Sequence, residues 1–317
     1  MVLLKALALL VVGFVFLIKG ADFFVDGSSS LAKYLKVPSL IVGLTIVAMG
    51  TSLPELSVSL NAAAEGSNAL AVSNVIGSNI FNLIVVLGIS ALIVPMEVSR
   101  DVLKKDLPFT VACTLLLLFM GWTGMTLNRP EGLVFLAIFV GYILYQIRSA
   151  ISARKAALEA EDEDDETKEI SLPLSIVAIV GGGAAVRFGG QWTVDGAKAL
   201  AAMFGMSENL IGLTIVATGT SLPELVTSVV AARKNELDMA VGNVVGSNVF
   251  NILMILGVAA TVGPIPFIMD NVIDIIILIG FSLLVGVFSA TKHRIDKWEG
   301  VIMLAGYAAF AAYIIIR

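Results

Sequence analysis

"GTSLPELSVS" occupies residues 50–59, and residues 219–228 read "GTSLPELVTS". Both copies lie inside long apolar stretches, where a proline and a carboxylate are costly guests in a membrane helix. Working outward from Thr51 and Thr220, an offset of 169 residues holds without a gap. Residues 43–56 and 212–225 agree at thirteen of fourteen positions, differing only at Met49 and Thr218. With the same offset "NVIGSNIFN" at 74–82 returns as "NVVGSNVFN" at 243–251, and Val-Asp-Gly at 25–27 returns at 194–196. The chain therefore reads as two copies of one unit.

Of the 317 residues 58% are hydrophobic and only 14% are charged, with a mean hydropathy of +0.96. So few charges cannot clothe a soluble surface, and most of the chain must face lipid or other apolar segments. The net charge of −5 owes much to one run, "EAEDEDDE" at 159–166, and no basic patch offers itself to nucleic acid. The single cysteine, Cys113, excludes an intramolecular disulfide. The single histidine, His293, sits in the polar stretch "TKHRIDK". Zinc, copper and nickel favour imidazole and thiolate ligands, so a buried site for such metals is not expected. The first twenty residues have the look of a signal peptide, but the same kind of segment recurs in mid-chain, which signal peptides do not do.

At about 20 apolar residues per crossing, each half offers five spans. They are 2–20, 38–63, 69–95, 107–127 and 130–149, then 172–190, 208–232, 238–262, 270–290 and 298–316. The expected fold is an all-α integral membrane protein of ten transmembrane helices. It divides into a first five-helix repeat (1–150), an acidic linker (151–170) and a second five-helix repeat (171–317). Because five is odd, the second repeat must enter from the opposite side, giving the inverted arrangement of many secondary transporters. With the N-terminus outside, fourteen Lys and Arg residues fall in inner segments and four, Lys5, Arg129, Lys198 and Arg317, in outer ones; Lys19 and Arg187 lie near span ends. The excess of cytoplasmic positive charge places both termini outside a cell (inner) membrane, with the stretch 150–171 in the cytoplasm as a solvated, disordered hinge.

The repeated motifs carry the chemistry. Pro54 and Pro223 each remove a backbone hydrogen bond and displace a carbonyl one turn earlier, that of Gly50 or Gly219. Irregular backbone at membrane depth is tolerated only against protein or a wet cavity. Thr51 and Glu55 share a helix face with Ser52 beside them, and Thr220, Ser221 and Glu224 repeat the set. Asn74, Ser78 and Asn82 form an i, i+4, i+8 stripe that Asn243, Ser247 and Asn251 copy. All are hydroxyl, amide or carboxylate donors, the oxygen-only set that suits Ca²⁺ and, by the same hard-cation logic, Na⁺. Ser, Thr and Asn also serve as glue between membrane helices. That reading is weakest for Glu55 and Glu224, since inserting a mid-membrane carboxylate costs at least ~2.5 kcal/mol. Asp22, Asp26 and Asp195 lie near span ends and read as interfacial caps more readily than as ion-entry groups.

"GTSLPE" twice, each followed by "GSN(I/V)FN", resembles the two alpha-repeats of the calcium/cation antiporter superfamily, most closely its prokaryotic sodium/calcium exchanger branch. The resemblance covers the whole chain. It implies four ion sites between the second, third, seventh and eighth spans, with Glu55 and Glu224 as central calcium ligands. It further implies that Thr51, Ser52, Thr220 and Ser221, with carbonyls near Ala48 and Ala217, complete the sites. Ser78, Asn82, Ser247 and Asn251 would supply further oxygens, and the first and sixth spans would slide across this core. Three Na⁺ would exchange for one Ca²⁺, with net charge movement. Some relatives carry Asp where this chain has Asn251; the neutral amide here speaks against potassium dependence.

The expected activity is thus secondary antiport of Na⁺ and Ca²⁺ by a monomer in the lipid bilayer, with both ions as substrates, no cofactor and no enzymatic chemistry. A calcium/proton antiporter of the same fold is the nearest alternative, but it calls for a titrating histidine or extra acid in the core. A passive cation channel differs only in flux coupling. An intramembrane hydrolase needs a nucleophile–base pair, and His293 sits in a loop.

Overall fold

The computed structural model describes residues 2–64, 69–159, 170–206, 215 and 217–316. Helix α1 spans Val2–Leu35; α2 (Ser39–Thr51) and α3 (Leu53–Ala64) follow. Next come α4 (Ala71–Ile93), α5 (Val102–Gly124), α6 (Arg129–Glu159) and α7 (Leu172–Met203). The chain closes with α8 (Leu222–Arg233), α9 (Leu237–Val262), α10 (Met269–Lys292) and α11 (Lys297–Ile316). Among the described residues, eight helices are long and apolar enough to cross a membrane, or nine if the bent pair α2–α3 counts as one span. The expected seventh span, 208–232, begins outside the described residues, as does the acidic run beyond Glu159.

Three helices outrun their expected ends. The first span, expected to stop at residue 20, continues to Leu35, and its counterpart α7 runs to Met203 instead of 190. Asp, Ser and Lys at these ends do not break a helix; the break waits for Lys36, at φ 53, and Pro38. At 1.5 Å per residue, 34 residues reach about 50 Å, far beyond the ~30 Å of a bilayer core. The expected hinge at 150–171 is likewise helical through Glu159. "SAISARKAALE" is rich in strong helix formers, and Lys155 pairs with Glu159 at 3.7 Å.

α1 and α7 pack antiparallel along their length. Gly13, Gly20 and Gly27 face Gly182, Gly189 and Gly196 across a seam with a seven-residue period. A Cβ on Gly182 would stand 2.6 Å from the Phe24 nitrogen, and one on Gly13 would stand 2.6 Å from the Thr193 nitrogen. Only glycine lets the two backbones come this close.

α4 and α9 form the centre: 78% and 83% of their apolar windows are buried, against 22% for α1, α6, α7 and α11. α2 and α8 pack on α9, and α3 packs on α4. The outer faces carry Val11, Phe119, Leu133, Val140, Val180 and Val301, while buried serines, threonines and asparagines gather inside. This inversion of the soluble pattern leaves the polar groups to one another.

Two short strand pairs tie the loops. β1 (Met96–Glu97) pairs antiparallel with β4 (Arg294–Ile295), and β2 (Thr126–Leu127) with β3 (Ile265–Pro266). In repeat terms Met96 corresponds to Ile265, so each half gives one strand to each pair.

Candidate ion site between the two halves

The motif prolines interrupt their helices where the sequence leads one to expect. α2 and α3 meet at a 45° bend around Ser52. In the second copy the short turn Ala217–Gly219 ends, and α8 restarts at Leu222, with Pro223 in its first turn. Beyond this, π-helical turns appear at Gly43–Val47, Phe81–Val86 and Asn251–Ile255. A π turn inserts one extra residue and is frequent at functional sites. Here two of them begin beside Asn82 and at Asn251, the corresponding positions of the two halves.

The breaks bring the two motifs face to face. Ser52 Oγ donates to Glu224 Oε1 at 2.9 Å, and Ser221 Oγ donates to Glu55 Oε1 at 3.1 Å. Each half's serine thus holds the other half's glutamate. Ser78 Oγ is a longer donor to Glu55 Oε1 at 3.5 Å. Thr51 Oγ1 donates to Asn243 Oδ1 at 3.0 Å and lies 3.5 Å from Ser247 Oγ. The Ala48 carbonyl accepts from Thr51 at 3.3 Å and from Ser247 at 3.4 Å. Glu55 and Glu224 are fully buried, and no Lys or Arg pairs with either among the described residues.

What remains unpartnered is more telling. Among the described residues, Glu55 Oε2, Glu224 Oε2, Thr220 Oγ1, Asn251 Oδ1 and both polar atoms of the Asn82 amide are buried without a hydrogen-bond partner. Leaving a buried polar group unsatisfied costs about 1–3 kcal/mol, more if charged. The bare oxygens among these, matched between the halves at Glu55 and Glu224 and at Asn82 and Asn251, fit hard cations, which take carboxylate, carbonyl and hydroxyl ligands. No cluster of three or more His, Cys, Asp or Glu occurs among the described residues.

The neighbouring amides bond mostly to one another and to the helices around the glutamates. Asn74 donates to Ser59 at 3.4 Å and Asn243 to Ser228 at 2.9 Å, corresponding pairs that brace helices, and Asn243 Nδ2 also donates to the Glu224 backbone carbonyl at 3.4 Å. Asn79 and Asn248, passed over in the stripe, donate to each other's backbone carbonyls at 3.2 Å each. Asn79 Oδ1 also accepts from Asn251 Nδ2 at 3.0 Å. Their identity in both copies of "GSN" was the available signal. Asp22 and Asp26 on α1 pair with Lys234 at 3.5 and 2.7 Å, and Ser29 donates to Glu236. Asp195 is held within α7 by Gln191 and Lys198. Among the described residues the partners of these three acids are Lys19, Lys234, Gln191 and Lys198, not the groups around the paired glutamates.

A cavity of 340 Å³ adjoins the paired motifs, lined among others by Pro54, Ser57, Arg187, Lys198, Thr220 and Pro223.

The sequence profile described as sodium/calcium exchanger protein matches residues 5–148 and 174–316. The chain belongs to the sodium/calcium exchanger family. Among relatives of this exchanger-family chain, the sodium/calcium exchanger MaX1 of Methanosarcina acetivorans is 32% identical over 95% of this chain and 96% of its own. Inner membrane protein YrbG of Escherichia coli is 34% identical over 98% and 97%. The solved structure of the sodium-calcium exchanger NCX_Mj, soaked with zero Na⁺ and Ca²⁺, is similar at a TM-score of 0.85 and 31% identity, covering 99% of this chain and all of that one. The family is one of transporters, and the helical, membrane-spanning character of the chain agrees with it.

Proposed function

We propose that this protein exchanges Na⁺ for Ca²⁺ across the cell membrane by alternating access, with three Na⁺ moving against one Ca²⁺. The observation that carries this reading is the crossed Ser52–Glu224 and Ser221–Glu55 pairing, which leaves the second oxygen of each glutamate bare. In this reading Glu55 and Glu224 hold Ca²⁺ directly. Thr51, Ser52, Thr220 and Ser221, with the Ala48 and Ala217 carbonyls, complete the calcium and sodium positions. Ser78, Asn82, Ser247 and Asn251 add neutral oxygens from α4 and α9. Two carboxylates carry a charge of −2, which one Ca²⁺ neutralises and three Na⁺ exceed by one. The two loaded forms then differ in charge, so exchange is electrogenic.

The reciprocal strand pairing supports an inverted relation of ten spans in two halves. One span, α5, separates β1 from β2, so these lie on opposite membrane faces. β3, the repeat counterpart of β1, pairs with β2 and therefore lies on the face opposite β1. The antiparallel packing of α1 on its counterpart α7 supports the same relation. We take α1 and α7 as the pair that slides across the core along their glycine seam, and the bias of Lys and Arg as placing the linker inside and both termini outside. Every proposed ligand comes from one chain, so a monomer suffices.

The test is ⁴⁵Ca uptake into proteoliposomes under an imposed sodium gradient. Uptake that accelerates with the sodium gradient and with a membrane potential of the appropriate sign is expected. Uptake that ignores sodium and follows a pH gradient would replace this reading with calcium/proton exchange, and uncoupled flux would replace it with a channel.

A further inference from the structure

The two halves of this protein agree closely around the site, so a charged residue present in only one of them has to be explained by what that half does alone. Arg187 on α7 is such a residue. Its counterpart at the same repeat position in α1 is Ile18, and the residue it contacts, Ser57, has Val226 as its own counterpart. An Arg–Ser pair in one half thus stands where the other half has Ile and Val. Arg187 Nη1 donates to Ser57 Oγ at 3.1 Å. Both residues line the 340 Å³ cavity whose wall also includes Thr220 and the prolines adjacent to Glu55 and Glu224.

The charge balance of that cavity is unusual for a cation path. Among the described residues lining it there is no carboxylate, while Arg187 and Lys198 both contribute positive charge. Lys198 lies 4.0 Å from Asp195, which offsets it. Arg187 has no ion pair among the described residues; its partner is the neutral serine. Among the described residues it therefore presents an uncompensated positive charge.

We propose that Arg187 sets charge selectivity on this one access path: it repels Ca²⁺ with twice the energy with which it repels Na⁺. This rests on the exchange activity proposed above. In a fixed potential the interaction energy scales with ion charge. If the arginine weakens the binding of each Na⁺ arriving by this path by some factor, it weakens that of Ca²⁺ by the square of that factor. The face onto which the cavity opens becomes the poorer side for loading Ca²⁺ and the better side for releasing it. The other half, with Ile18 and Val226, imposes no such bias.

The experiment uses sodium-driven calcium exchange in membrane vesicles of both orientations, comparing wild type with Arg187→Gln, which removes the charge and keeps an amide donor. Arg187→Lys keeps the charge. The double variant Arg187→Ile with Ser57→Val installs the pair that the other half already carries, and it guards against a folding defect peculiar to the glutamine. Half-saturating concentrations of Na⁺ and Ca²⁺ are read separately at each face. The expected result, at one face only, is a fall of about threefold for Na⁺ and hence about ninefold for Ca²⁺ in both charge-free proteins, with Arg187→Lys unchanged. Raising inert choline chloride should shrink the difference between wild type and Arg187→Gln. Equal factors for the two ions, equal effects at both faces, or the same shifts in a Ser57→Ala protein that retains the arginine would each overturn the proposal. Absence of sodium-coupled calcium flux in the wild type would instead overturn the exchange function itself.

Discussion

The Ser52 hydroxyl donates a 2.9 Å hydrogen bond to Glu224 Oε1, although the two residues are 172 positions apart in the chain. The mirror-related bond joins Ser221 to Glu55. Each carboxylate takes its shortest side-chain hydrogen bond from the other half, and Glu55 has only the longer 3.5 Å contact with Ser78 from its own, so this arrangement of the two glutamates depends on the assembly of both halves.

Removing either serine tests that dependence. A hydrogen bond to a charged group contributes about 1.5–3 kcal/mol, and Ser52→Ala or Ser221→Ala is therefore expected to weaken calcium binding about tenfold to a hundredfold. The two effects should be of similar size because the contacts correspond. Isothermal titration of purified protein checks this, and an effect confined to one serine would contradict the crossed arrangement.

Neutralising a carboxylate goes further. In the proposed site, Glu55→Gln and Glu224→Gln would each remove half the negative charge that faces the divalent ion in a low-dielectric setting. Calcium exchange should fall below detection in both, while size-exclusion profiles in detergent stay those of wild type. Near-normal ⁴⁵Ca flux in either variant would make that glutamate structural.

Asn251 decides the potassium question. Its nitrogen is committed to Asn79, leaving Oδ1 as a neutral, unpartnered oxygen. Exchange is expected to run at full rate without potassium, and flux measured with choline in place of K⁺ is the check. An absolute potassium requirement would remove Asn251 from the role assigned to it.

The glycine seam offers a matched pair of adjacent substitutions. An added methyl at Gly182 meets the Phe24 backbone at 2.6 Å, whereas at Gly181 it meets nothing within 4 Å. Gly182→Ala should destabilise by about 1–3 kcal/mol through overpacking. Gly181→Ala should be neutral or slightly stabilising, as expected for alanine in an exposed helix interior. Thermal melts in detergent distinguish the two; equal melting temperatures would mean that α1 and α7 do not pack as closely as described.

The acidic run at 159–166 is expected on the cytoplasmic side. A cysteine introduced there in a Cys113→Ala background should react with an impermeant maleimide only in inside-out vesicles. Labelling of intact cells would reverse the topology.

Much of this protein is legible in its sequence because the membrane punishes exceptions. A proline, a glutamate and paired hydroxyls inside an apolar stretch are conspicuous, and their recurrence 169 residues later marks Glu55 and Glu224 in the sequence alone. Low charge and long apolar runs likewise fix the membrane class, since backbone polar groups in lipid must be satisfied within helices. The ends of α1 and α7 were not legible, because Asp, Ser and Lys end a hydrophobic run without ending a helix. The π turns at Phe81–Val86 and Asn251–Ile255 leave no pattern in composition, and they shift which side chains share a face. Nor does any local signal tell Asn79 that it will meet Asn248, or Ser52 that it will hold Glu224. Such bonds join residues from different halves, and their geometry is set by how closely α2, α4, α8 and α9 approach. The sequence determined which oxygens could serve a cation, because their cost in lipid exposes them; only the tertiary structure decided which of them meet, because that depends on the packing of backbones far apart in the chain.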